Sequence, residues 1–133
     1  MGVDFILSIR TGHTDIDALA QELSQILDIG FTAQMDMEEK FYESSDATTM
    51  EWMRLRPNYL EDDAGIPFES YEFVLHVWAR YKDSSGYVES SQRFGERIFE
   101  ILKQSQKYDL VLTRDAQKIL LRYERPSPSE ELP

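Results

Sequence analysis

Two hydrophobic periods divide the beginning of the chain into a strand and a helix. Apolar residues at every second position predict a strand with one buried face, and apolar residues every three or four positions predict an amphipathic helix. The first set is Val3, Phe5, Leu7 and Ile9, and the second is Ile16, Leu19, Ala20, Leu23, Ile26 and Leu27. We expect Thr14 to cap the start of this helix and Gly30 to cap its end.

The segment 31–70 has few apolar residues and no persistent period. Its strands are therefore predicted from short stretches only. One strand is expected to end at Tyr42, before a turn at 44–46, and another to span 50–56. Residues 58–67 have the composition of an exposed loop.

The second half of the chain has the clearest pattern. Residues 71–81 carry apolar side chains on one face and some on the other, which predicts a central strand. An amphipathic helix is expected from about residue 88 to 106, and Gly95 would let it approach the sheet closely. The apolar stretches 110–113 and 119–123 predict a final hairpin.

This order of elements, β-α-β-β-β-α-β-β, predicts an α+β fold. Two helices on one face of a mainly antiparallel sheet would form a two-layer sandwich, a variant of the ferredoxin-like arrangement. A length of 133 residues suits one domain, which we assign to residues 1–125. The tail 126–133 is rich in Pro, Ser and Glu and is expected to be disordered.

Several kinds of chemistry have no support in the sequence. The chain has no cysteine, which excludes disulfides and thiolate sites and favours a cytoplasmic location. No signal peptide or membrane span is expected. His13 is interpreted as a solvated loop residue or a cap, and His76 as a half-buried, hydrogen-bonded residue. Without a glycine-rich phosphate loop or a nucleophile motif, we expect no catalytic residue, cofactor or metal.

The distribution of charge changes this picture, because the whole excess of acidic over basic residues lies in the first half of the chain. Residues 1–69 hold 15 Asp and Glu against 4 Lys and Arg, whereas residues 70–133 hold ten of each, and the net charge is −11. Such a field repels nucleic acid and anionic membranes and attracts basic partners. The alternative is that the acidity only keeps the protein soluble.

Large aromatic residues are dispersed among the acids of the middle segment. Interfaces use such residues as anchors within a charged rim. For Phe41 and Trp52, a place in the core and a place in an interface are equal alternatives, whereas Tyr59 is expected to be exposed. The sequence therefore favours a protein that binds another protein over an enzyme.

Three stretches resemble bacterial immunity proteins that accompany polymorphic and contact-dependent toxins. They are VDFILSI at 3–9, IDALAQEL at 16–23 and YEFVLHV at 71–77, with the acidic segment between the last two. The resemblance is one of layout over residues 3–123. It implies a cognate toxin domain, often a basic nuclease, that a tight stoichiometric complex neutralises in the cytoplasm.

On this interpretation ten residues of the middle segment bind the toxin. Carboxylates would supply the complementary field and aromatics the anchors. The carboxylates are Glu38, Glu39, Glu43, Asp46, Glu61, Asp62 and Asp63, and the aromatics are Tyr42, Trp52 and Tyr59. Two alternatives stay open: a ferredoxin-like regulatory module that binds a metabolite, and a phage-encoded inhibitor that mimics DNA.

Overall fold

The computed structural model describes residues 3–12, 15–62 and 65–126. Within these ranges it has seven strands, two α-helices and one short 3-10 helix. The elements are β1 Phe5–Arg10, α1 Ile16–Leu27, β2 Thr32–Asp36, β3 Glu39–Asp46, β4 Glu51–Pro57, the 3-10 helix Phe68–Ser70, β5 Phe73–Ala79, α2 Tyr87–Ser105, β6 Asp109–Arg114 and β7 Lys118–Tyr123. Residues 127–133 of the predicted tail lie outside the described ranges.

All seven strands form one antiparallel sheet in the order β2-β3-β4-β5-β1-β6-β7. The predicted α+β class and antiparallel sheet are confirmed. The predicted order of elements was one strand short, because the segment before β5 contributes three strands besides β5 itself. All five residues of β2 are exposed, so this strand carries no hydrophobic alternation that a sequence pattern could reveal.

Both caps of α1 differ from the prediction. Asp15 is the N-cap, and its Oδ1 accepts hydrogen bonds from the backbone N–H groups of Asp17 at 3.0 Å and Ala18 at 3.4 Å. Thr14 lies outside the described residues. The helix ends at Asp28, which has φ 54° and donates its N–H to Ser24, rather than at Gly30. Aspartate tolerates the left-handed conformation, so the helix ends before the glycine is reached.

The prediction that a strand ends at Tyr42 was wrong, because β3 continues to Asp46. Ser44 pairs with Met53 and Ser45 with Trp52, so the ladder to β4 overrides the weak strand preference of serine. The turn follows instead at 47–50. In this turn the carboxylate of Asp46 accepts hydrogen bonds from the backbone N–H groups of Thr48 and Thr49.

The main hydrophobic core joins both helices to the sheet. It contains Leu19 and Leu23 of α1, Phe94 and Phe99 of α2, and alternating residues of the strands such as Leu75. Gly95 brings α2 close to the sheet, as predicted. A Cβ atom at this position would lie 3.2 Å from the side chains of both Val77 and Leu112.

The opposite face of the sheet is covered over part of its area by the segment before β5. Ile66, Phe68 and Tyr71 pack there on Val111 of β6, and each is at most 2% exposed. Asn58 holds the segment by donating a side-chain hydrogen bond of 2.8 Å to the carbonyl of Phe68. The predicted loop is thus irregular, but it is not exposed throughout. On this face the side chains of β2 are exposed, and those of β3 and β4 are half-buried or exposed.

Candidate protein-binding face

Strands β4 and β5 position the side chains of the uncovered area. Met53 and Leu55 of β4, and Leu75 and Val77 of β5, point into the core with the helices. Because successive strand residues face opposite ways, their neighbours point away from the helices. Together with side chains of β3 and of the covering segment they form what we call the aromatic–arginine face. Its residues are Phe41, Trp52, Arg54, Arg56, Tyr59, His76 and Trp78, with Glu39 and Glu43.

Three rings are stacked along one side of this face. The ring centroids of Tyr59 and His76 are 5.8 Å apart at an interplanar angle of 4°, and those of His76 and Trp78 are 5.7 Å apart at 16°. The Tyr59 hydroxyl also lies 3.1 Å from Nε2 of His76. These contacts hold Tyr59 in place although it is 50% exposed, as predicted. His76 is hydrogen-bonded, in agreement with the prediction, but is 8% exposed and so more buried than expected.

The two arginines are oriented by aromatic rings and carboxylates. The guanidinium of Arg54 lies 5.2 Å from the ring centroid of Phe41 and 5.9 Å from that of Trp78, and its Nη2 is 3.1 Å from Glu43. That of Arg56 lies 4.7 Å from the Tyr59 ring, and its Nη2 is 2.8 Å from Glu39. Cation–π contacts and charge-assisted hydrogen bonds of this kind restrict the rotamers of long side chains before any partner arrives.

Both guanidinium groups keep hydrogen-bonding capacity. The Nε atoms of Arg54 and Arg56 are buried and have no hydrogen-bond acceptor among the described residues. Each side chain is nevertheless 30–40% exposed, so its outer N–H groups are accessible. Donors of this kind suit the carbonyl and carboxylate oxygens of a second protein.

A shallow cavity of about 410 Å³ lies beside the rings. Trp52 and Trp78 line it together with Glu43, Gln34 and Thr32. The two tryptophans are paired across β4 and β5, and both are half-buried. A pocket with tryptophan walls and a few polar groups at its edge can accept a side chain from a partner.

Four of the ten residues predicted to bind a partner lie on this face. They are Glu39, Glu43, Trp52 and Tyr59. Tyr42 lies on the helix side of the sheet, where its hydroxyl donates a 2.5 Å hydrogen bond to Asp17. Asp46 lies at the end of β3 and holds the following turn. Glu38 is exposed in the turn between β2 and β3, at φ 72°.

The remaining three predicted residues belong to the covering segment. Glu61 and Asp62 are exposed, and Asp62 accepts a 2.9 Å hydrogen bond from the N–H of Glu69. Asp63 lies outside the described residues. The predicted carboxylates therefore do not all lie together, and the two beside the arginines, Glu39 and Glu43, are ion-paired rather than free.

Sequence reasoning missed Arg54, Arg56, His76 and Trp78 as site residues. A signal for them was present in the alternation along two neighbouring strands. Polar and aromatic residues at 52, 54 and 56, and at 76 and 78, alternate with apolar residues that enter the core. Period two places each such set on one face, and the pairing of the strands then brings the sets together.

Comparison of this chain with known protein families finds no match, and no significant similarity is found to curated proteins or to solved structures. Within the described part of the chain, no helix has the length and apolar character needed to cross a membrane. No three His, Asp or Glu side chains of residues 3–12, 15–62 and 65–126 converge as metal ligands would.

His76 makes the stability of the fold dependent on pH. Burial lowers the pKa of His76 from 6.5 to about 4, an effect that the charge of Asp4 only partly opposes. The unfolded chain therefore binds a proton between these two values that the folded protein does not. The contribution of His76 is fully present above about pH 6.5 and declines as the pH falls toward about 4.

We expect the free energy of unfolding to fall by about 1.5 kcal/mol between about pH 6.5 and about pH 5, from the size of this shift. Urea unfolding at the two pH values measures it. In His76→Gln the same interval should change stability much less, while His13 is retained in both proteins. An equal decline in wild type and variant would contradict the assignment to His76.

Proposed function

We propose that this protein binds and neutralises a bacterial toxin domain, as an immunity protein, and that it does so through the aromatic–arginine face. The observation that carries the proposal is the uncovered set of rings and guanidinium groups on β3, β4 and β5. Tryptophan, tyrosine and arginine are the residue types that contribute most to protein interfaces. Here they are held in position by stacking and ion pairs, so little side-chain freedom is lost on binding.

Charge around the face favours a basic partner. The ion pairs of Arg54 with Glu43 and of Arg56 with Glu39 leave the centre nearly neutral. Exposed carboxylates lie at its edges: Asp36 is paired opposite Glu39 at the end of the β2–β3 hairpin, and Glu61 follows Tyr59 by two residues. A neutral aromatic centre with an acidic rim would accelerate encounter with a positively charged domain and then exclude water from the anchors.

The finer fold interpretation, a ferredoxin-like variant with both helices on one face, is also a proposal. Strands β1, β4, β5 and β6 with the two helices follow the chain order β-α-β-β-α-β, and their order in the sheet is β4-β5-β1-β6. The buried residues of both helices belong to one cluster, which supports a shared face. On this interpretation the hairpin β2–β3 and strand β7 extend the sheet at its two edges.

Co-expression with a toxin domain tests the proposed function. The candidate is the domain encoded next to the gene for this protein, produced from an inducible promoter in a susceptible strain. We expect wild-type protein to restore growth and to form a stoichiometric complex on size-exclusion chromatography. The double variant Arg54→Ala, Arg56→Ala should lose protection, because it removes the guanidinium groups from the face.

Lys118→Gln serves as the matched control, since it removes an exposed cation from β7 at the far edge of the sheet. It should protect as well as wild type. Two results would contradict the proposal. One is a neighbouring toxin that this protein neither binds nor neutralises. The other is full protection by the double arginine variant, which would move the interface to another surface.

A further inference from the structure

A second cavity, of about 450 Å³, lies beyond the ends of β3 and β5 and has a basic lining. It is formed by the turn after β3, the residues that follow β5, and α2. Four cations line it, namely Arg80, Lys82, Arg93 and Arg97, together with a single carboxylate, Asp83. In a chain of net charge −11, this cavity concentrates charge of the opposite sign.

Two of the four cations are free. Arg80 and Lys82 are exposed, and their side chains make no hydrogen bond or ion pair with any other described residue. Only the backbone of Arg80 is engaged, through a 3.0 Å hydrogen bond from its N–H to the carbonyl of Met50. This bond ties the end of β5 to the turn that forms the opposite wall of the cavity.

The other two cations are held in place. Nη1 of Arg93 is 3.1 Å from Asp83, and its guanidinium lies 5.1 Å from the ring centroid of Tyr81. Arg97 is ion-paired with Glu51, whose carboxylate also accepts a 2.5 Å hydrogen bond from the Tyr81 hydroxyl. Tyr81 thus connects the two arginines, and each arginine keeps further N–H groups beyond those that its carboxylate accepts.

Besides Tyr81 and the charged residues, the cavity is lined by two threonines and by Met50. Thr48 and Thr49 line the cavity from the turn. Hydroxyl groups and guanidinium N–H groups can together donate several hydrogen bonds, and phosphate oxygens accept more of them than a single carboxylate does. A volume of about 450 Å³ is within the range of small-molecule sites.

We propose that this cavity binds a small phosphorylated ligand, with Arg80 and Lys82 as the mobile contacts and Arg93 and Arg97 as the fixed ones. Because Arg93 and Arg97 are paired with Asp83 and Glu51, the excess of two positive charges that would attract an anion comes from Arg80 and Lys82. The site is separate from the aromatic–arginine face, because none of the residues of that face lines this cavity. Its occupation does not depend on the function proposed above.

Isothermal titration calorimetry at low ionic strength tests the proposal, with inorganic pyrophosphate and ADP as probes. We expect saturable binding of pyrophosphate with one site per chain. The double variant Arg80→Gln, Lys82→Gln should weaken this binding about tenfold or more, because two free cations are removed. Both side chains are exposed, so the variant should unfold at the same temperature as wild type. Lys118→Gln is the control and should bind as wild type does.

The comparison of the two probes identifies the ligand. Equal affinities would assign the cavity to the phosphate groups alone, and tighter binding of ADP would assign it to a nucleotide. Binding of neither probe by wild type would overturn the proposal. Binding that the double variant retains unchanged would also overturn it, because the anion would then lie elsewhere on the protein.

Discussion

Replacing Trp52 with alanine is expected to weaken binding of the proposed toxin partner about 100-fold, as truncation of a central interface tryptophan does. Trp52 lies on β4 within the aromatic–arginine face and lines the shallow cavity opposite Trp78. It is half-buried and has no part in the Tyr59–His76–Trp78 stack. Truncation should therefore remove a contact for the partner while the stack and the core remain.

Surface plasmon resonance with the immobilised toxin domain would measure this effect, which should appear mainly as faster dissociation. Ile119→Ala is the matched control. Ile119 is an exposed hydrophobic residue, 39% accessible, on the edge strand β7. An unchanged dissociation rate for Trp52→Ala, with thermal unfolding like that of wild type, would remove Trp52 from the interface.

The largest effect on stability is expected at Asp109, where two arginines meet one carboxylate. Arg10 of β1 donates to Asp109 Oδ2 at 2.8 Å, and Arg125 donates to Oδ1 at 3.0 Å from Nε and at 2.7 Å from the backbone. Asp109 is 8% exposed. The pair of arginines joins the first strand and the residues after the last strand to the start of β6.

Asp109→Asn should lower the free energy of unfolding by about 3 kcal/mol. The amide keeps the shape of the carboxylate but removes its charge, and both arginines lose their ionic partner. Urea unfolding at neutral pH measures the change. Asp83→Asn is a suitable control, because Asp83 also pairs with an arginine but is exposed, and such pairs contribute little. Equal decreases in the free energy of unfolding of the two variants would contradict a special role for Asp109.

The same ion pairs predict how the protein responds to acid. Burial would raise the pKa of Asp109, but hydrogen bonds from Arg125 and Arg10 outweigh burial and lower the pKa to about 2. A depressed carboxylate pKa stabilises the fold at pH values above the unfolded-state pKa. This contribution should be complete above about pH 4 and should be lost as the pH falls toward about 2. In Asp109→Asn the decline over that interval should be smaller.

Most elements could be predicted because their own sequence carries the period of the buried face. The clearest cases are β1, β5 and the two helices, whose periodic apolar positions enter one core. The β2–β3 hairpin could not be predicted in this way, since β2 is exposed throughout and β3 has no fully buried residue. These strands form because the edge of β4 has free backbone hydrogen-bonding groups. Their side-chain pattern gives little sign of this pairing.

The candidate site likewise contains residues that the local sequence identified and contacts that only strand pairing creates. Trp52 and Tyr59 were identified from their residue type and their acidic neighbourhood, both of which are local properties of the chain. The partners of Arg54 and Arg56 were not identified, because Glu43 and Glu39 are 11 and 17 residues away and meet them only through strand pairing. That pairing also converted two predicted free carboxylates into ion pairs.

Composition and periodicity were thus sufficient for the α+β class, for most of the core and for the acidity of the first half, since each depends on residues close together in the chain. Which acids are free, which rings stack and which cations share a cavity depends on side chains that the sheet brings together from distant positions. Charge balance at any point of the surface is a sum over spatial neighbours, and the fold decides which residues those neighbours are.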